Sequence, residues 1–211
     1  MKSAFYLDLR ALALMRIALA LVLLLDLSIR LCHLEAFYSN TGAVPLTMLF
    51  QYNWNDYFFS FHTLSGMWQV ELLLFLINMY CVLMLLIGKH TKLFNFLCWI
   101  FMLSLHNRNP LILQGGDDLM RMLLFWGMFL PWSKRYAVDA LENKIVLSNN
   151  NYMHLAGLAY VLQLVYLYSF SALLKGAEWD KDFTAVYYAY SLDQIAYPST
   201  KLIYYYPQLL K

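Results

Sequence analysis

Apolar and polar positions alternate along this chain in long blocks. Long, mostly apolar runs occupy Ala11 to Leu31, Trp68 to Ile87, Leu93 to Leu105, Leu119 to Trp132 and Tyr152 to Leu174. The first, second and last approach the ~20 residues that a helix needs to cross a hydrocarbon core. Leu119 to Trp132 reaches that length only if Gly116 to Asp118 belong to the same helix. The pattern therefore predicts an all-α polytopic membrane bundle with about five transmembrane helices plus interfacial or amphipathic helices. Gly88 is expected to close the second helix, and Lys89 to Lys92 to form a tight basic turn into the third.

Between the third and fourth runs lies the most polar stretch, His106-Asn107-Arg108-Asn109-Pro110 followed by Gln114-Gly115-Gly116-Asp117-Asp118 and Arg121. Unpaired groups of this kind lose several kcal/mol of hydration in hydrocarbon. The segment must sit at a membrane face or inside protein. Asp117 or Asp118 suits the first turn of the helix that follows, where a carboxylate meets the positive end of the helix dipole. Gly115-Gly116 reads as a turn with unusual backbone angles before that helix.

Composition agrees with the block pattern. Of 211 residues, 62% are hydrophobic and 13% charged, against about a quarter charged in soluble domains, and the mean hydropathy is +0.52. Aromatic residues make up 18% and gather near the ends of the apolar runs, at headgroup level. The lipid bilayer is the expected surrounding. The net charge of +2, scattered over short connections, argues against nucleic acid as a partner. Cys32, Cys81 and Cys98 lack C-x-x-C spacing and read as small core residues, with no metal site implied.

Polar residues inside the runs need partners. Arg16 and Asp26 lie ~15 Å apart along one helix, so each is expected to find a partner on a neighbouring helix, with interface snorkelling an alternative for Arg16. They also argue against a signal peptide, since they interrupt the run and no small-x-small cleavage site follows His33. In the connection from Cys32 to Met67, Trp54, Tyr57, Phe58, Phe59 and Phe61 suggest a short interfacial or re-entrant piece, and His62 reads as a surface or hydrogen-bonded residue. Lys2, Arg10, Lys89, Lys92, Lys134, Arg135 and Lys144 would share one side of five spans, which puts the N-terminus in the cytoplasm. The segments His106 to Asp118 and Lys175 to Asp182 then share the outer face.

Two readings of that face remain open. His106, Asn107, Arg108, Asn109, Gln114, Asp117, Asp118, Arg121, Lys175 and Glu178 either form a closed cap, with Arg108 or Arg121 against Asp117, Asp118 or Glu178, or line a cleft for a ligand. In the second case His106 and Lys175 are the catalytic candidates. The remaining polar residues would then bind the ligand.

Three ordered blocks carry a resemblance. Ser104-Leu-His106-Asn107-Arg108-Asn109-Pro110 with Gly115-Gly116-Asp117, then Gln163-Leu-Val-Tyr166 leading to Ser171-Ala-Leu-Leu-Lys175 and Trp179, then Thr184-Ala-Val-Tyr187-Tyr188-Ala-Tyr-Ser191-Leu-Asp193-Gln194 resemble the HTTM (horizontally transferred transmembrane) domain. That family is related to the membrane domain of vitamin K-dependent gamma-carboxylase. The likeness runs from Arg16 to about Pro198 and implies one domain over residues 1–211 of a bacterial inner membrane protein, with its functional face outside the cytoplasm. It adds Gln163, Tyr166 and Trp179 to the ligand-binding candidates Asn107, Arg108, Asn109, Gln114, Asp117 and Arg121.

The resemblance further implies a reduced quinone as cofactor, or another amphipathic small molecule as ligand. The carboxylase oxidises a reduced naphthoquinone to generate a strong base that removes a glutamate gamma-proton, and its activating group is a lysine in the region corresponding to the polar segment. Here that region offers Arg108, which stays protonated and cannot serve as such a base. The expectation is a non-carboxylating relative whose outer face binds a quinone-like ligand. Alternatives are a membrane scaffolding protein and, third, a true carboxylase. Related domains continue through further helices, so a chain stopping at Lys211 reads as a short or C-terminally truncated member.

Overall fold

The computed structural model describes residues 6–144, 149–153 and 155–176, together with Trp179, Thr184, Ala185, Tyr187 and Tyr188. These residues are mostly helical. Helix α1 spans Leu9–Cys32 and is followed by the short α2, Leu34–Tyr38. The connection then passes through α3, Leu46–Met48, a π-turn at Leu49–Asn53 and a 3-10 turn at Phe61–Thr63. Helices α4, Trp68–Ile87, and α5, Thr91–Arg108, form a hairpin, and a 3-10 turn at Pro110–Ile112 leads to α6, Gly115–Gly127. The short α7, Val138–Glu142, precedes α8, Leu155–Leu173.

The predicted apolar runs thus become helices, and the second helix matches its expected bounds. Among the described residues three helices, α1, α4 and α8, are long and apolar enough to cross a membrane. The fourth run begins at Gly115, so both glycines lie inside α6 and form its first turn. The expected turn with unusual backbone angles at Gly115-Gly116 is corrected accordingly: among the described glycines only Gly88 has a positive φ, of 75°.

The chain divides into two compact units, Met1–Tyr160 and Val161–Lys211. In the first unit α1 packs on α4, α4 on α5 and α5 on α6. Sequence shows why they register as they do. The buried stripe of α1, Leu12, Arg16, Leu19, Leu23 and Leu27, follows the 3.6-residue period, as does Glu71, Phe75, Asn78, Val82 and Leu85 on α4. Leu14, Leu21, Leu25 and Ile29 on α1, and Leu73, Leu76, Ile77 and Leu83 on α4, point outward. A soluble helix exposes its charges and hides its leucines; here Arg16 and Glu71 are inside while leucines cover the outward face as well as the buried stripe. This polarity is that of helices in lipid, where ionisable groups turn toward the bundle interior.

One end of the first unit is closed by cross-element caps. Gly88 ends α4 in the left-handed conformation, and its NH reaches Met84 O at 3.0 Å. Arg16 Nη1 donates to Leu85 O at 2.6 Å and to Leu86 O at 3.1 Å, and Nη2 to Tyr136 O at 2.5 Å. The expected partner of Arg16 is therefore main chain, largely the carbonyl end of α4. Asp139 does the converse for α5, accepting from His90 N at 2.7 Å, Thr91 N at 2.9 Å and Thr91 Oγ1 at 2.8 Å. Near the same end, strands β1, Leu7–Asp8, and β2, Asn151–Tyr152, pair antiparallel. The loop expected around Asn149 to Asn151 thus ends in a short ladder, reinforced by Leu9 N to Asn150 O at 2.9 Å.

In the second unit, Tyr166 and Phe170 lie with ring centroids 6.2 Å apart. Of the helix expected over Thr184 to Ala196, Thr184, Ala185, Tyr187 and Tyr188 are described, and Tyr188 N donates to Thr184 O at 3.0 Å; the rest of it and most of Ala177 to Asp182, Glu178 included, lie outside the described residues.

Candidate functional site

The polar segment is spread over two helices. His106, Asn107 and Arg108 are the last turn of α5, Asn109 and Gln114 flank the 3-10 turn, and Asp117 and Arg121 lie on α6. Gln114 caps α6: its NH reaches Asp117 Oδ2 at 2.8 Å, in a reciprocal capping box. The first-turn role expected of an aspartate belongs to Asp117.

The other oxygen of Asp117 faces Arg30. Nη2 of Arg30 lies 2.6 Å from Asp117 Oδ1, Nε lies 2.8 Å from Asp26 Oδ2, and Nη1 donates to Tyr38 Oη at 3.1 Å. One guanidinium thus gathers two carboxylates and a phenol. Burial pushes the Tyr38 hydroxyl pKa up, with Arg30 acting against it. The neighbouring-helix partner expected for Asp26 is corrected here: it pairs with Arg30 one turn on in its own helix, at the i,i+4 spacing that favours such pairs. His106 is fully buried, with Nε2 3.5 Å from Asp117 Oδ1. Neither of its ring nitrogens has a hydrogen-bond partner among the described residues.

Arg108 departs from the expected ion pair. Its Nη1 donates to Val44 O at 2.9 Å and Nη2 to Tyr38 O at 2.7 Å, both in the connection before α4. Asn107 Nδ2 donates to Phe59 O at 2.9 Å and Asn109 Nδ2 to Phe37 O at 2.9 Å. Three consecutive side chains therefore grip the main chain of one crossing segment. Arg121 pairs with Asp118 one turn away at a more exposed position.

A second buried group joins this end. His62 Nδ1 lies 2.5 Å from Glu71 Oε2, and both side chains are fully shielded. Phe75 fills the space between, its ring 5.7 Å from that of His62 and 5.3 Å from that of Tyr38. No spacing rule links these two residues in the sequence.

The remaining candidates belong to the second unit. Lys175 Nζ sits 4.3 Å from the Trp179 ring centroid, in cation–π range. Tyr166 is exposed. The amide atoms of Gln163 are shielded, without a hydrogen-bond partner among the described residues.

No protein-family model, curated protein or solved structure matches this chain.

Proposed function

We propose that the chain is a five-span integral membrane protein of the HTTM kind, held in a bacterial inner membrane with its N-terminus in the cytoplasm. Its role is that of a non-carboxylating scaffold or interaction protein. The observation that carries this reading is the commitment of Asn107, Arg108 and Asn109 to carbonyls of a single crossing segment. An arginine recognises a carboxylate or a quinone oxygen through its forked NH groups; both terminal nitrogens of Arg108 are already spent. Asp117 is likewise held by Arg30 and the α6 cap. The outer polar residues act as a structural cap that fixes the connection over the bundle and leaves apolar helix faces for lipid or a membrane partner.

A second reading, binding of a quinone-like amphipathic ligand, is favoured by His106, whose shielded nitrogens lie beside Asp117. Lipid-extract mass spectrometry of protein purified from its membrane separates the two. The scaffold reading expects no stoichiometric quinone, and no carbon dioxide incorporation into glutamate peptides with reduced vitamin K. Stoichiometric quinone that is lost in His106→Phe, while Arg121→Ala retains it, would overturn that reading in favour of the second.

A further inference from the structure

The connection between α2 and α4 has an unusual surface. From Ala36 to Val70 its only Asp, Glu, Lys or Arg is Asp56. It nevertheless turns its rings outward: Tyr57 is 94% exposed and Tyr52 69%, with Phe50, Phe58 and Phe59 also exposed. The inward positions are taken by Val44, Leu49, Ser60 and His62. Ring contacts run from Phe50 to Trp54 at 5.1 Å and from Trp54 to Phe58 at 5.9 Å, and separately from Phe59 to Phe61 at 4.7 Å and on to Phe101 of α5 at 5.5 Å. The second run of rings thus reaches the flank of a bundle helix.

Two constraints bracket where such a segment can lie. A contiguous apolar patch of this extent is unusual in water and marks a contact surface. Yet residues 54–60 form no regular helix, and irregular backbone facing lipid does not occur inside the hydrocarbon, because its NH and CO groups would go unpaired. The layer between these limits is the interface, where amphipathic rings concentrate. We propose that residues 50–64 lie in the plane of the membrane interface, with Phe50, Tyr52, Tyr57, Phe58 and Phe59 among the glycerol and carbonyl groups of the lipids. With no lysine or arginine in the segment and His62 buried, this contact depends on ring partitioning and does not require anionic lipid. The inference rests on the membrane reading above.

Single-cysteine variants in a Cys32→Ser background, carrying a nitrobenzoxadiazole probe and reconstituted as the whole chain, test it. Cys81 and Cys98 are buried. Probes at Tyr52→Cys and Tyr57→Cys are expected to be quenched severalfold more by headgroup nitroxide lipids than by aqueous iodide or by nitroxides deep in the acyl chain. The result should be the same in phosphatidylcholine vesicles with and without phosphatidylglycerol. Leu76→Cys on the outward face of α4 serves as the deep reference and Glu142→Cys as the aqueous one. Iodide quenching at 52 and 57 with Leu76→Cys still deep overturns the inference alone. Iodide quenching at all three overturns the membrane reading as well. Deep quenching at 57, shielding from every quencher that grows with protein density and so indicates a second copy, or dependence on phosphatidylglycerol each overturns the inference too.

Discussion

Arg30 and Asp117, 87 positions apart, meet at 2.6 Å and join the end of α1 to the start of α6. Their side chains are 11% and 6% exposed. The pair spans two elements that are not consecutive in the chain. It therefore fixes the bundle end where α5 finishes and α6 begins.

Truncating Arg30 leaves two carboxylates, Asp26 and Asp117, without their shared cation. Breaking a buried pair from one side typically costs about 3–5 kcal/mol, so Arg30→Ala should lower the midpoint of thermal unfolding in detergent strongly. Arg121→Ala, which removes an exposed i,i+3 pair, should cost about 0–1 kcal/mol. Equal effects would mean that the Arg30 cluster is not a structural centre.

Arg108→Lys keeps the charge but replaces a planar fork with a single ammonium, which cannot hold Val44 O and Tyr38 O in the same geometry. One carbonyl loses its partner, at a cost of about 1–3 kcal/mol. Hydrogen exchange should rise at residues 37–49 and stay unchanged at residues 72–84 of α4. Unaltered exchange in the connection would show that the clamp is dispensable.

Gly88→Val forces a branched residue to φ of 75° and brings its Cβ against Arg16 Nη1. The left-handed conformation alone costs about 1–2 kcal/mol for an L-residue, and displacement of Arg16 adds to it. A stability loss visible in denaturant unfolding is expected, larger than that of Gly116→Ala, where an added Cβ meets nothing within 4 Å.

Burial pushes the Asp139 carboxyl up, but hydrogen bonds from Thr91 and His90 outweigh it and hold its pKa below the ordinary aspartate value. A depressed folded pKa means the capping contribution is complete above the unfolded value of about 3.9 and is lost as pH falls through the lower folded value. Amide exchange at His90 and Thr91, corrected for intrinsic rate, should accelerate only in that acidic window. Asp139→Asn should abolish the pH dependence.

The sequence was informative wherever one helix decides the outcome. The bounds of α4, the stop at Gly88 and a first-turn role for one of Asp117 and Asp118 follow from run length, glycine conformation and capping preference. The Asp26–Arg30 pair was equally available from its i,i+4 spacing. Partners set by packing between helices were not available. Nothing in the sequence pairs His62 with Glu71, and the acceptors of Arg108 are carbonyls, which carry no residue signature. Gly115 and Gly116 were misassigned because glycine reports permitted backbone angles, not those adopted; here the Gln114 cap draws both into the helix.

Caps borrowed from distant residues impose an order of events during synthesis. The hairpin of α4 and α5 precedes Asp139 in the chain, so the donors at its tip are synthesised before their acceptor. Until Asp139 follows, His90 N and Thr91 N are left to water, as the first NH groups of an uncapped helix are.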